Sequence, residues 1–517
     1  MKTITPKRIV IVGAGYGGLA TAALLAKDGH QVTVLERNDQ VGGRARIWKK
    51  DGFTFDMGPS WYLMPEVFDR YFSLFGEKRE DWYTLKRLEP SYRVLYGKGE
   101  ARDVSSTPEK LTALFDALEP GAGAKLGEYL KDAAYKYDIA MKEFLYREYR
   151  SVFDFMNRRM MVEGLKLKVL GNLDKEVSRV FKDRRTRQIL EYAMVFLGTA
   201  PADAPGLYSI MSHVDLTQGV FYPMGGLSAI ADALYRLGQR EGVQYQLGTE
   251  VTSIAVQDGV AQAVETRTLD AEGNPTGATS RIEADLIIAN ADYAHVETEL
   301  LPPEAVSLPK RYWQKRVVAP SMFIIYLGLD KQLPKLIHHN LYFQEDWTKH
   351  FDTIFKKPGW PDKPCFYVSC ISKTDPDMAP PGCENVFYLI PAAPGVQDSE
   401  EQRQAYADMA ISHLEEISGE SIQPAVKVQR VFSQRDFSRD YHAYKGTALG
   451  ISHTLKQTAV FRPALRSKKV SNLLYTGQYT HPGIGVPMVL IAAELTANIV
   501  REKFGPATAM PAADKAE

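Results

Sequence analysis

Cysteine is scarce. Cys365, Cys370 and Cys383 are the only three in 517 residues. A small, odd number in a long chain excludes a disulfide framework, and the spacing is not that of a zinc site. A reducing, cytoplasmic setting is therefore expected, with no metal. Net charge is lacking as well. The 63 basic residues balance the 63 acidic ones, which removes the bulk electrostatic argument for nucleic acid. No internal repeat occurs. Apolar runs long enough for a bilayer are missing apart from Ile9 to Ala26, and the glycine cluster from Gly13 to Gly18 breaks that run into a β-branched part and an alanine-rich part. Neither a membrane span nor a signal peptide reads this way; a buried strand, a tight turn and a buried helix do. The remaining composition, 45% hydrophobic and 24% charged, is globular. The length predicts two or more domains and a core large enough for a deep pocket.

Arg8 to Val12 has the β-branched, apolar character of a central parallel strand. Gly13-Ala14-Gly15-Tyr16-Gly17-Gly18 then matches G-x-G-x-x-G. A helix from Leu19 to Lys27, a stop near Gly29 and a second strand from Gln31 to Leu35 complete a βαβ unit that ends on Glu36. Each part has a physical task. Gly13 permits the turn. Gly15 lets backbone approach a pyrophosphate. Gly18 lets helix and strand pack closely, and the helix N-terminus offers free N–H groups to phosphate oxygens. Glu36 is placed to accept hydrogen bonds from ribose hydroxyls, and a carboxylate there disfavours a 2′-phosphate.

Asn38 to Arg46 reads NDQVGGRAR. Gly42 and Gly43 predict a second tight loop, from which Arg44 can reach the same pyrophosphate. The spacing from Glu36 and Arg37 to Gly42-Gly43-Arg44 resembles that of flavoproteins with two dinucleotide-binding domains. FAD is the expected cofactor. Further on, DGFTFDMGPS (Asp51 to Ser60) predicts a short hairpin and a Gly-Pro turn beside a flat ring. Near the C-terminus, Gly483, Gly485 and Pro487 precede an apolar helix expected from Val489 to Val500. Its N-terminus can stabilise the negative charge that a reduced flavin carries at N1 and C2=O.

Taken with YREYRSVFDF (Tyr146 to Phe155), ADLIIANAD (Ala284 to Asp292) and RDFSRDYHAYKGTALG (Arg435 to Gly450), these segments resemble the bacterial-type phytoene desaturase family. The likeness runs from Arg8 to Phe504, and its wording is nearest to the diapophytoene desaturases. It implies an α/β fold with a Rossmann-like, discontinuous FAD-binding domain (1–95, 211–300 and 431–505), a substrate-binding and helical domain (96–210 and 301–430) and a disordered tail (506–517). It also implies cofactor contacts from Met57, Gly58, Pro59, Ser60, Val251, Gly477, Gly485, Val486, Pro487 and Met488. Gln478 and Tyr479 depart from the small residues common in the family, with altered contacts to the ribityl chain or flavin face as the consequence.

The implied partner is a lipophilic polyene, phytoene or diapophytoene, dehydrogenated in successive steps by hydride transfer to the flavin. Such a substrate is stored in membrane, so peripheral attachment to a membrane surface is expected. EFLYREYRSVFDFMNRRMMVEGLKLKVL (Glu143 to Leu170) mixes aromatics and methionines with basic residues in a way that suits an interface. A homo-oligomer is compatible with the chain. Candidate catalytic residues are Asp154, which resembles an acidic position the family places near the flavin, Arg147 and Lys445 as tuning charges, and His481 as a positioned donor or base. On the same fold, a carotene cis–trans isomerase, a terminal oxygenase, an amine oxidase and a non-enzymatic prenyl-lipid escort protein stay open as alternatives.

Overall fold

The computed structural model describes residues 5–97, 99–151, 171–270, 272–344 and 346–505. The apolar run at the N-terminus divides as its glycines require: strand Arg8–Val12, a turn, then helix Tyr16–Lys27. Gly13 takes a positive φ of 100° at that turn. The strand becomes the centre of a five-stranded parallel sheet. Its neighbours are Gln31–Leu35 and Leu286–Ala289, flanked by Gln244–Gln246 and Leu473–Tyr475. The sheet is thus assembled from segments hundreds of residues apart. The N-terminal helix packs between two others, Ser228–Arg240 and the C-terminal helix Val486–Phe504. Leu19, Leu24 and Leu25 are wholly buried there, so the helix carries little polar face.

An antiparallel three-stranded sheet, Thr249–Gln257, Val260–Leu269 and Pro275–Glu283, extends this half of the molecule. The other half is a seven-stranded mixed sheet, which draws strands from Tyr92–Tyr96 and Glu100–Val104, from the region between Ser321 and Ala392, and from Val426–Phe432. Its single parallel pairing joins Tyr92–Tyr96 to His339–Phe343. One face packs on helix Glu400–Ser418 through Phe323, Ile325, Ala410 and Leu414. The opposite face looks into the interior. Two expected domain boundaries, at 95/96 and at 430/431, fall inside strands of this sheet. A strand held on its flanks by ladder hydrogen bonds is not divided there, and the sheet takes both strands whole.

Among the described residues, no helix is long and apolar enough to cross a membrane. Most of Glu143 to Leu170 lies outside the described residues, as do Asp154 and the tail 506–517.

Leu24→Ala removes a wholly buried side chain from the layer between sheet and helices. It is expected to cost about 2–5 kcal/mol, read as a lowered thermal midpoint; an unchanged midpoint contradicts this packing.

Candidate active site

The turn after the first strand holds the site's densest packing. A Cβ on Gly18 would lie 2.1 Å from the Gly13 carbonyl oxygen, and one on Gly17 would lie 3.3 Å from Gly477 Cα. The second glycine loop arrives from the other side. Gly42 N–H donates to Ala14 O at 2.8 Å, and a Cβ on Gly43 would sit 3.1 Å from Gly15 Cα. Both Gly42 and Gly43 have positive φ. Gly58 is equally confined, with a Cβ position 2.2 Å from Arg44 O. Three loops therefore meet backbone to backbone.

Asn290, which sequence reasoning passed over, fills the centre. Its Nδ2 donates to Gly13 O at 3.2 Å, and its side chain lies against the Cβ positions of Gly15, Gly17, Gly18 and Gly477. Glu36 is buried at the tip of the second strand. Its Oε2 accepts from Ala14 N–H at 2.7 Å, and its Oε1 accepts from Asn38 N–H and Nδ2 at 2.9 and 2.7 Å. The carboxylate thus ties the turn to the following loop, and two carboxylate oxygens retain further acceptor capacity.

A cavity of about 620 Å3 begins at these loops and continues between the two halves of the molecule. Gly13, Gly15, Glu36, Arg37, Gly43, Arg44, Gly58, Pro59, Ser60, Val251, Gly477 and Gly485 to Met488 all line it. Arg44 Nε, Thr476 Oγ1 and Gln478 Nε2 belong to lining residues and are buried without a partner. Unpaired donors beside a backbone cradle are suited to an anionic, polar ligand. At the far side of this end, Gly485 has φ 122° and precedes helix Val486–Phe504, which starts three residues earlier than expected, with Pro487 in its first turn. Arg37 reaches the Arg439 carbonyl and Glu250.

Beyond the loops the wall is apolar. Met322 and Ile324, and Leu389 and Pro391, line the cavity as alternate residues of their strands, and Leu341, Tyr342 and Phe343 join them, so one face of the seven-stranded sheet forms most of the floor. Trp61 stacks on His339 with ring centroids 4.5 Å apart and abuts Tyr192 and Phe196.

The profile of the flavin containing amine oxidoreductases matches residues 16–501. The chain belongs to this family. It is 41% identical over 504 residues to a carotenoid 3,4-desaturase of Haloarcula japonica, covering 97% of this chain and 99% of that one. It is 33% identical over 506 residues to a 4,4′-diapophytoene desaturase (4,4′-diaponeurosporene-forming) of Staphylococcus haemolyticus, covering 96% and 98%. An oxidoreductase from Methanosarcina mazei shares the fold with TM-score 0.62 at 18% identity, over 96% of this chain and 100% of that chain. As a member of the flavin containing amine oxidoreductases the protein is an oxidoreductase, and FAD is its cofactor. Bound FAD supplies a two-electron acceptor. The glycine cradle, Glu36 and the unpaired Arg44 and Thr476 atoms fit its polar part.

Several candidates sit elsewhere. Met57 is buried in the core behind the cavity, its carbonyl accepting from Tyr326 OH at 2.8 Å. It does not line the wall: its side chain packs in the same core cluster as Phe53 and Phe55, and the lining resumes at Gly58. Lys445 is exposed, with its ammonium 5.6 Å from the Tyr444 ring, and Arg147 is exposed too; neither reaches the cavity. They stand near a motif along the chain but at the surface in space, since an unpaired cation in the core is costly. Gln478 and Tyr479 both line the cavity; Tyr479 is buried there and donates to Asp292 Oδ2 at 2.6 Å.

His481 lines the wall. Its Nε2–H lies 3.2 Å from both the Phe144 and Leu145 carbonyls, and burial pulls the imidazole down to about 4. A ring that is neutral at pH 7 and spends its N–H on two carbonyls is a positioned donor, not a base poised for neutral pH.

Two outcomes follow from this geometry. Glu36→Ala and Arg44→Ala each remove a charged hydrogen-bonding group, at about 1.5–3 kcal/mol, so FAD retention should weaken roughly ten- to hundredfold; parental flavin content in both purified variants refutes the assignment. For His481 the folded-state value lies below the ordinary 6.5, so the unfolded chain takes a proton that the folded chain refuses. Stability is full above about pH 6.5 and falls as the pH drops toward 4. In His481→Gln the loss of thermal stability over that window should be smaller than in the parent; identical slopes would mean the ring titrates normally.

Proposed function

We propose that the protein is an FAD-dependent carotenoid desaturase that dehydrogenates a linear precursor in successive steps. One observation carries this reading: the apolar cavity is continuous with the dinucleotide cradle. Across its floor, Ile324, Leu389, Tyr367 and Leu341 are register partners on four adjacent strands, and all four line the wall. Adjacent strands lie about 4.8 Å apart, so the row spans roughly 14 Å. An extended hydrocarbon can lie along such a row, and the chain's own residues have three tasks there: to hold it straight, to keep water out and to direct adjacent C–H groups toward the flavin end. Each turnover breaks two C–H bonds and makes one C=C bond; a hydride passes to the cofactor and a proton leaves. Asp154 is retained as the proposed proton acceptor. The FAD-binding unit is proposed to comprise the five-stranded and three-stranded sheets with their helices, and the substrate unit the seven-stranded sheet with the helical segments between Pro108 and Gln218.

A second reading is favoured by the 41% identity to a carotenoid 3,4-desaturase, which exceeds the identity to the diapophytoene enzyme. On that reading the bond oxidised is the 3,4-bond of a chain that is already conjugated.

Peripheral membrane attachment is proposed as the route of substrate entry. Val317, Leu455 and Phe461 are among the most exposed large apolar side chains of the described residues. Hydrogen bonds of Gln457 to Val317 gather them around Thr458 and Ala459, which line the cavity, and Lys315 and Lys456 are exposed beside them. Apolar tips rimmed by lysine suit an anionic bilayer surface.

Anaerobic incubation of the FAD-loaded protein with phytoene, diapophytoene or a conjugated carotenoid in vesicles should bleach the oxidised flavin band and lengthen the polyene. The substrate that does so selects between the two readings, and isomerisation without flavin reduction sinks both. Phe461→Glu should lower flotation with phosphatidylglycerol vesicles severalfold; undiminished flotation would move the contact elsewhere.

A further inference from the structure

Arg462 is buried without a counter-charge. Its guanidinium donates only to backbone carbonyls: Gln478 O at 2.6 Å, Tyr479 O at 3.1 Å, Thr480 O at 3.2 Å and Gln457 O at 3.4 Å. No carboxylate pairs with it among the described residues, and the side chains that act on its charge are the phenols of Tyr208, Tyr312 and Tyr479. Desolvation pulls it down to about 10, well short of neutralisation at pH 7. A buried cation is costly unless paired. Arginine is seldom fully buried without a carboxylate partner.

The position explains what the charge can do. Three of the four carbonyls that Arg462 gathers belong to the turn between Gly477 and His481, whose lining residues separate it from the cavity. A Cβ on Gly483 would lie 3.2 Å from its Cζ and 2.3 Å from His453 Nε2. His453 is itself fully engaged. Nε2 accepts from Ile484 N–H at 3.1 Å, and Nδ1 lies 2.5 Å from Tyr208 OH, which lies 2.9 Å from Thr458 Oγ1. Burial and Arg462 both keep that imidazole neutral. The positive charge therefore stands alone, one layer behind the wall where the C-terminal helix begins.

We propose that Arg462 is an electrostatic positioning residue of the flavin site, which clamps the Gln478–Thr480 turn and favours the reduced cofactor through its uncompensated charge. This rests on the FAD-dependent reading. A bound isoalloxazine that accepts two electrons and one proton gains one negative charge, and a fixed cation in a low-dielectric surround lowers the free energy of that state relative to the oxidised one. The helix N-terminus at Gly485 acts in the same direction.

Charge and clamp can be separated. The midpoint potential of bound FAD is measured against a redox dye for the full chain, for Arg462→Lys and for Arg462→Gln. Arg462→Gln should lower the reduced-to-oxidised ratio at fixed ambient potential about tenfold, which is about 30 mV for a two-electron couple. Arg462→Lys, which keeps the charge and loses the fork, should stay within about threefold while its thermal midpoint falls. A parental ratio in Arg462→Gln, or equal drops in both variants, overturns the proposal. Should Arg462→Gln fail to fold, Arg462→Met provides a second neutral side chain of similar length at the same position. The ratio should then fall in the same direction, and an unmoved ratio is again fatal. Failure of the parent chain to hold FAD would instead count against the reading beneath it.

Discussion

Three backbone segments approach one another at the polar end of the cavity, and the site is arranged around that point. The turn from Gly13 to Gly18, the loop at Gly42 and Gly43 and the segment at Gly477 pack so tightly that a methyl group at Gly18 would lie 2.1 Å from the Gly13 carbonyl oxygen, far inside van der Waals contact. The segments are remote in sequence. They can meet only if the parallel sheet places strands from the N-terminus, the middle and the C-terminus side by side, which its order does. The helix Val486–Phe504 then starts beside the same point, because it follows directly on the edge strand Leu473–Tyr475.

What could be read from the sequence was what is local. The βαβ unit, its glycines and Glu36 have fixed spacings, and the structure repeats them within a few residues. The hairpin Ile47–Lys50 with Phe53–Asp56 was readable for the same reason. Asn290 was not. Its importance arises only when strand Leu286–Ala289 is laid beside Arg8–Val12, a pairing across 277 residues. Arg462 escaped notice because it stands outside every motif and acts through carbonyls, which leave no mark in side-chain spelling. Arg147 and Lys445 misled in the opposite way: they are near a motif along the chain and exposed in space. Met57 adjoins the lining residue Gly58 along the chain, yet its side chain is spent on the core.

The cavity combines two electrostatic regimes. At one end, unpaired donors and a helix N-terminus favour negative charge. At the other, burial shifts polar side chains toward their neutral forms. Desolvation drives His339 well below its ordinary value and raises Asp215, which accepts from Tyr92 and Tyr192, to about 7. Neutral groups near an apolar wall do not draw in water as ions would. Redox chemistry on a hydrocarbon needs both regimes within one continuous space.

The row Ile324, Leu389, Tyr367 and Leu341 has a geometric consequence of its own. Neighbouring strands rotate by about 20–25° relative to each other. Over three strand intervals the surface normal turns by roughly 60–75°, so the floor is a section of a screw and not a plane. A ligand lying along it must rotate about its long axis. Saturated links do this by turning about single bonds; a conjugated run resists, since rotation breaks the overlap of its π-orbitals. The floor therefore holds limp chains more comfortably than stiff ones, and each double bond added makes the occupant a poorer fit to the surface on which it was made.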